Sequence, residues 1–315
     1  MSFPRSIAIH EEGPREGFQI EKDSIPTERK LQLIGALAGT GLRDIQVVSF
    51  VDPRAVPGMA DADEVVRRLP DVANVAFTGL WLNRRGFERA LAAPRLKLDG
   101  LLAATASEAF LQRNQKRTSA EQLAAERDMM EAYLAHGVPV RNAFIMAAFG
   151  CNFEGDVPVA RVVELVTSLI EIARERDCGI ECVTLGDTMG WANPRSVTRV
   201  VSAVRERWPE VSIGLHLHDT RGLAIANAYA GLELGVTKFD AAVGGLGGCP
   251  FAGNRAAAGN ICTEDLVFMC HEMGIETGVD LDALLDCARL AEEIVGHPLP
   301  GSVMKGGSLD RFRRR

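Results

Sequence analysis

Two rhythms of apolar and polar residues alternate along the chain. Short apolar runs of strand length fall at 7–11, 45–50, 72–80, 98–105, 138–147, 180–185, 211–217 and 239–243. Between them lie stretches with helical spacing, at 27–38, 61–69, 84–93, 119–135, 159–176, 223–234 and 264–273. The stretch 159–176 is the most regular, with apolar residues at 159, 162, 163, 166, 169, 170 and 173. Local signals mark the ends. Ser119 with Gln122 predicts a capping box, closed after Ala135 by Gly137. Asn193-Pro194 places an N-cap and an N1 proline at the start of another helix. A further helix, 280–295, follows the last alternation.

Eight such alternations within about 275 residues predict an α/β fold, a (β/α)8 TIM barrel with an extra C-terminal helical segment. The domain boundaries expected are 1–278 for the barrel and 279–315 for the C-terminal helix and a solvated basic tail. An open doubly wound sheet is the competing fold. It would carry a glycine-rich phosphate loop after its first strand, and none stands there.

The seventh strand changes the picture from fold to chemistry. Alternate residues of a strand share a face, so Gly214, His216 and His218 lie opposite Ile213, Leu215 and Leu217. An apolar side then sits under an outer helix, and two imidazoles converge on the other side. Such a pair is either two hydrogen-bonded core histidines or two ligands of a metal.

Composition narrows the partners. The 315 residues are 47% hydrophobic, enough for a substantial core. A net charge of −7 and a pI near 5.5 argue against nucleic acid or a membrane surface. The first apolar run begins at Ile7, leaving no room for a signal peptide, and seven cysteines without one suggest reduced thiols. The expected compartment is the cytoplasm.

Barrel active sites gather where strands end. At those positions stand Glu11 to Gln19 after strand one, Gln46 and Ser49 in strand two, and Asp187 after strand six. His216, His218 and Asp219 close strand seven, and Gly244 to Pro250, then Asn260, follow strand eight. Carboxylate, imidazole and amide together suit a divalent cation with mixed oxygen and nitrogen ligation, such as Mg, Mn, Co or Zn. Arg15 beside Glu16 supplies fixed positive charge for an anionic oxygen. Cys249 on a glycine-rich loop can exchange a proton.

These residues resemble the metal-dependent lyases and synthases of the DRE-TIM metallolyase superfamily, and within it the 3-hydroxy-3-methylglutaryl-CoA lyase family. The resemblance runs from Ile7 to about Leu285. It rests on Gly13-Pro14-Arg15-Glu16-Gly17-Phe18-Gln19, Ser49-Phe50-Val51, Leu185-Gly186-Asp187-Thr188 and His216-Leu217-His218-Asp219-Thr220. Gly244-Gly245-Leu246-Gly247-Gly248-Cys249-Pro250 discriminates best.

The resemblance implies that Glu16, His216, His218 and Asn260 bind the metal, Mg or Mn in the first instance. It implies that Arg15 stabilises an enolate, Cys249 moves the proton, and Asp187 positions the substrate. Glu11, Lys22 and Gln46 stand as supports around them. The implied reaction is retro-Claisen cleavage of 3-hydroxy-3-methylglutaryl-CoA to acetyl-CoA and acetoacetate, by a homodimer. Asn114, Lys116 and Arg117, with Lys305, are candidates for CoA phosphate contacts. Three departures stand out. Glu16 replaces an aspartate. Gln46 replaces a glutamate, for which Glu12, in a usually apolar position, compensates if it turns inward. The loop from Cys249 to Asn260, with Arg255, is longer. Three alternatives stay open: a lyase for citramalyl-CoA or a longer branched hydroxyacyl-CoA, a condensing enzyme, and a non-catalytic metal-binding barrel.

Overall fold

The computed structural model describes residues 3–248 and 258–313. Its strands are β1 (Ala8–Glu11), β2 (Asp44–Ser49), β3 (Ala76–Leu80), β4 (Gly100–Thr105), β5 (Val140–Met146), β6 (Cys182–Gly186), β7 (Ser212–His216) and β8 (Lys238–Ala241). The main helices are α1 (Thr27–Ala38), α2 (Ala62–Arg67), α3 (Arg84–Leu91), α4 (Glu108–Gln115), α5 (Ser119–Ala135), α6 (Val159–Arg174), α7 (Pro194–Arg207), α8 (Ala224–Glu233), α9 (Thr263–Glu272) and α10 (Leu281–Val295). All eight predicted strands and every predicted helix are present.

The chain divides into two compact units. One is built on Leu98–Phe239 and the other on Arg5–Lys97, Asp240–Gly248 and residues 258–313.

In the Leu98–Phe239 unit, β4, β5, β6 and β7 pair in parallel in that order. The prediction for the faces of β7 holds. Leu215 lies against Gly231 of α8, while Gly214 faces the Thr184 hydroxyl of β6. The N-cap of α7 is Asn193, whose side chain accepts from Ser196 N at 3.0 Å. At α5 the expected box is shifted by one residue. Thr118 and Glu121 form it, because Gln122 is buried and bonds Thr105 at the end of β4 through both its amide atoms. The short helix α4 is absent from the sequence reading. It buries only Phe110 and Leu111, too few positions to show a period, and is started by the Ser107 side chain.

In the other unit, β1, β2 and β3 pair in parallel, with His10 opposite Asp44 and Gln46 opposite Thr78. β3 starts at Ala76, later than predicted. Its partner β2 begins at Asp44, and Asn74 takes a left-handed φ of 65° that ends any extended run. α10 packs on α1, and the turns beneath them meet closely. Asp280 N donates to Thr40 O at 2.7 Å. Gly41 there has φ +92°, and a Cβ on it would lie 2.2 Å from the Gly278 carbonyl oxygen. Gly41→Ala is therefore expected to destabilise the protein by about 2–4 kcal/mol. A urea titration checks this, and a loss below about 1 kcal/mol would show that the turn relaxes. Near the C-terminus the exposed Arg313 forms two bonds to Glu272. No helix among the described residues is long and apolar enough to cross a membrane.

Candidate active site

Each unit carries its own cluster of candidate residues. In the unit holding β1, the chain leaves that strand at Glu11 and enters a single π-helical turn, Gly13–Gly17, with Pro14 at its start. The turn is closed by Glu16 N donating to Glu12 O at 2.8 Å. It buries Arg15 to 8% exposure and spreads its guanidinium over three acceptors. Nη2 donates to Glu12 Oε2 at 2.6 Å, Nη1 to Glu16 Oε2 at 2.8 Å, and Nε to Gln46 Oε1. Burial alone would lower the arginine pKa, but Glu12 and Glu16 raise it, so the group stays cationic. Five N–H donors against three named acceptors leave two for an anionic oxygen.

Glu16 Oε1 accepts from Asn260 Nδ2 at 2.9 Å, and the same nitrogen donates to Leu246 O at 3.1 Å. Asn260 thus spends its amide hydrogens on holding position, which leaves Oδ1 as its acceptor atom. Gly247 is required here. It has φ +89°, and a Cβ would lie 2.6 Å from Asn260 Nδ2 and 3.0 Å from Glu16 Cγ. Glu11 is fully buried and accepts from Gly13 N, Val243 N and Thr263 Oγ1 at 2.8, 2.9 and 2.5 Å. It ties the ends of β1 and β8 to the start of α9. Burial outweighs those bonds and raises its pKa to about 7. Lys22 is exposed, because the backbone turns extended at Glu21.

The sequence reading missed His10 and Asp240. His10 Nδ1 lies 3.4 Å from both Glu12 Oε1 and Asp240 Oδ1. Its Nε2 lies 3.2 Å from Thr78 Oγ1 and 3.6 Å from Asp44 Oδ1. Burial would lower the imidazole pKa, but Asp44, Asp240 and Glu12 raise it to about 10. His10, Glu12 and Asp240 bring donor atoms within 4.8 Å of one another. The three carboxylates around His10 favour its charged form, so the group reads as an ion-pair network that continues through Glu12 to Arg15. The available signal was the i, i+2 spacing of His10 and Glu12, the same spacing that marked His216 and His218.

In the unit holding β7, His216 and His218 are 6% and 4% exposed, with their Nε2 atoms 3.3 Å apart. His218 Nδ1 is 2.8 Å from the Thr188 carbonyl oxygen. That bond requires Nδ1 to carry the hydrogen, so in the neutral ring Nε2 carries the lone pair. Two imidazole nitrogens facing each other in this way share a proton or hold a cation, and the donor chemistry fits a divalent metal. Phe144 packs edge-on against His216 at 5.7 Å between centroids.

Asp187 follows β6, and its backbone N donates to His216 O at 2.8 Å. Oδ1 accepts from Trp191 N and Ala192 N at 2.6 and 3.0 Å, which is the work of a turn cap. Oδ2 is buried without a hydrogen-bond partner among the described residues. Burial raises the carboxyl pKa against the pull of His218 and the two amides. Next to it lies an apolar cluster that the sequence reading also missed, formed by Phe110, Ala147, Cys151 and Met189 with Phe153 and Trp191 around them. Its members come from three separate segments, so no local pattern announces it.

Of the CoA candidates, Asn114 and Lys116 are exposed at the end of α4, where Lys116 takes a left-handed φ of 55°. Arg117 is half-buried. Lys305 Nζ is spent on Leu299 O at 2.7 Å. Cys249 and Arg255 lie outside the described residues.

The HMGL-like family model matches residues 6–291. A hydroxymethylglutaryl-CoA lyase of Bacillus subtilis is 38% identical over 300 residues, covering 95% of this chain and 97% of that protein. The crystal structure of the HMG-CoA lyase of B. subtilis superposes with a TM-score of 0.90 at 37% identity, over 97% of this chain and 99% of that one. An HMG-CoA lyase from Acinetobacter baumannii, solved in complex with coenzyme A and 3-methylmalate, gives 0.87 at 38% identity, over 98% of this chain and 97% of that one. The (β/α)8 barrel expected from the strand–helix alternation is the fold of this chain.

Proposed function

The chain belongs to the HMGL-like family and is a carbon–carbon lyase, and we propose that it cleaves 3-hydroxy-3-methylglutaryl-CoA to acetyl-CoA and acetoacetate. The observation that carries this reading is the pair of buried imidazoles, His216 and His218, with the tautomer of His218 set by the Thr188 carbonyl. We assign to them one divalent metal, Mg or Mn, whose ligand set is completed by Glu16 and Asn260. When bound, the metal supplies Lewis acidity that makes the substrate's 3-hydroxyl easier to deprotonate.

The chain's own residues do the rest. Asp187 offers a buried carboxylate oxygen beside the imidazoles, and we assign it to hold the hydroxyl and receive its proton. The C2–C3 bond then breaks, acetoacetate leaves, and the electron pair moves into the thioester as an enolate. Arg15, with N–H donors to spare, neutralises the enolate oxygen. Cys249 delivers a proton to the carbon, completing acetyl-CoA. Glu11 and Gln46 hold the turn and the guanidinium in place. Asn114, Lys116 and Arg117 are assigned to the CoA end of the substrate, and Lys22 to an outer supporting position. In this reading residues 1–278 form the catalytic barrel and 279–315 a C-terminal segment, and the enzyme works as a cytoplasmic homodimer.

The test is acetyl-CoA release from 3-hydroxy-3-methylglutaryl-CoA by metal-stripped protein, with and without added Mg or Mn. Metal-dependent release is expected. Protein that binds the metal and releases nothing would have a different acyl substrate. The 3-methylmalate held by the A. baumannii relative favours a second reading of that kind, a lyase for citramalyl-CoA or another branched hydroxyacyl-CoA.

A further inference from the structure

Arg15 is a buried cation whose partners are unequal. Gln46, at its Nε, is neutral. Glu16, at Nη1, is the residue assigned to the metal, so its charge is shared. Glu12 is the remaining carboxylate, 5% exposed and 2.6 Å from Nη2. A buried guanidinium needs a full countercharge and a fixed geometry to keep its fork aimed. Glu12 is itself held from behind by His10 at 3.4 Å, and His10 by Asp240 at 3.4 Å. Asp240 on β8 and His10 on β1, both half-buried, with the buried Glu12 and Arg15 thus form one line of alternating charge that ends at the guanidinium.

We propose that Glu12, braced by His10 and Asp240, is the positioning residue that aims Arg15, and that it carries the charge a carboxylate at position 46 would otherwise supply. Glu12, His10 and Asp240 are assigned to act on Arg15 and not on the substrate. They act by restricting the rotation of the Arg15 fork and by cancelling its charge, so that the remaining N–H groups point one way. The kinetic part of this inference rests on the lyase reading of the same residues, while the geometric part does not.

The experiment compares wild type, Glu12→Gln and the double variant Glu12→Gln/Gln46→Glu, each checked for its thermal midpoint and metal affinity. Glu12→Gln is expected to lower kcat about 10–100-fold with KM and metal affinity little changed. The double variant returns a carboxylate to Arg15 through Nε and is expected to recover most of the loss. A purely structural role for Glu12 would give no recovery, and a folded double variant as slow as Glu12→Gln overturns the proposal. Wild-type kcat in Glu12→Gln overturns it too. The second readout is the 15N signal of the Arg15 Nε–H group, assigned by its loss in Arg15→Lys. Its exchange with water is expected to be slow in wild type, faster in Glu12→Gln and slow again in the double variant. This holds whichever acyl-CoA is the substrate. If wild type fails to cleave 3-hydroxy-3-methylglutaryl-CoA, the substrate reading falls and the NMR series still decides the role of Glu12. Unchanged exchange across the series would overturn it.

Discussion

Replacing His218 with alanine is expected to strip the metal from the protein and lower turnover by about 10³-fold, or roughly 4 kcal/mol in the barrier. The size follows from what the ring does. Its Nδ1 hydrogen is spent on the Thr188 carbonyl, so the ring is held with the Nε2 lone pair toward His216 Nε2. Alanine removes that lone pair and leaves one imidazole where two converge. The variant should fold, because its backbone neighbours are tied elsewhere: Asp187 N to His216 O, and Ala224 N to Asp219 Oδ1. Metal content after dialysis, kcat at saturating metal and the thermal midpoint check the prediction together. Retained metal with normal turnover would place the cation elsewhere in the protein.

Cys249→Ala is expected to cut kcat by about 10²–10⁴-fold, the range for loss of a positioned proton donor, which is about 3–5 kcal/mol. Metal binding should survive, since a thiol is not needed for a set of imidazole, carboxylate and amide ligands. Cys249→Ser should retain more activity than alanine, because a hydroxyl can still carry a proton, though it is a far weaker acid than a thiol. Steady-state kinetics with matched metal affinity measure both effects. Near-normal kcat in Cys249→Ala would show that the enolate takes its proton from another donor. The two variants separate two functions. The His218 variant loses metal and turnover together, and the Cys249 variant loses turnover alone.

What could be read from the sequence was whatever local geometry determines. A strand has a period of two, so the convergence of His216 and His218 followed from their spacing alone. A helix cap acts within four residues, so Asn193 was placed correctly. Even there a one-residue ambiguity at Thr118 and Ser119 was resolved only by Gln122, whose partner lies 17 positions away at Thr105. The alternation of elements gave the barrel because short connections leave few ways to bury so many amphipathic pieces.

Only the tertiary structure decided which side chains meet. Gln46 for an expected glutamate looked like a charge lost beside Arg15. The π-turn after β1 returns that charge from Glu12, and the register of β1 against β2 brings His10 beside Asp44. Asp187 looked like either a cap or a catalytic group. Folded, Oδ1 caps the turn and Oδ2 is spare. Spacing along one element is a short-range property written in consecutive residues. Strand register, the path of a turn and the burial of a carboxylate depend on residues tens to hundreds of positions apart, whose mutual approach is set by packing the whole chain.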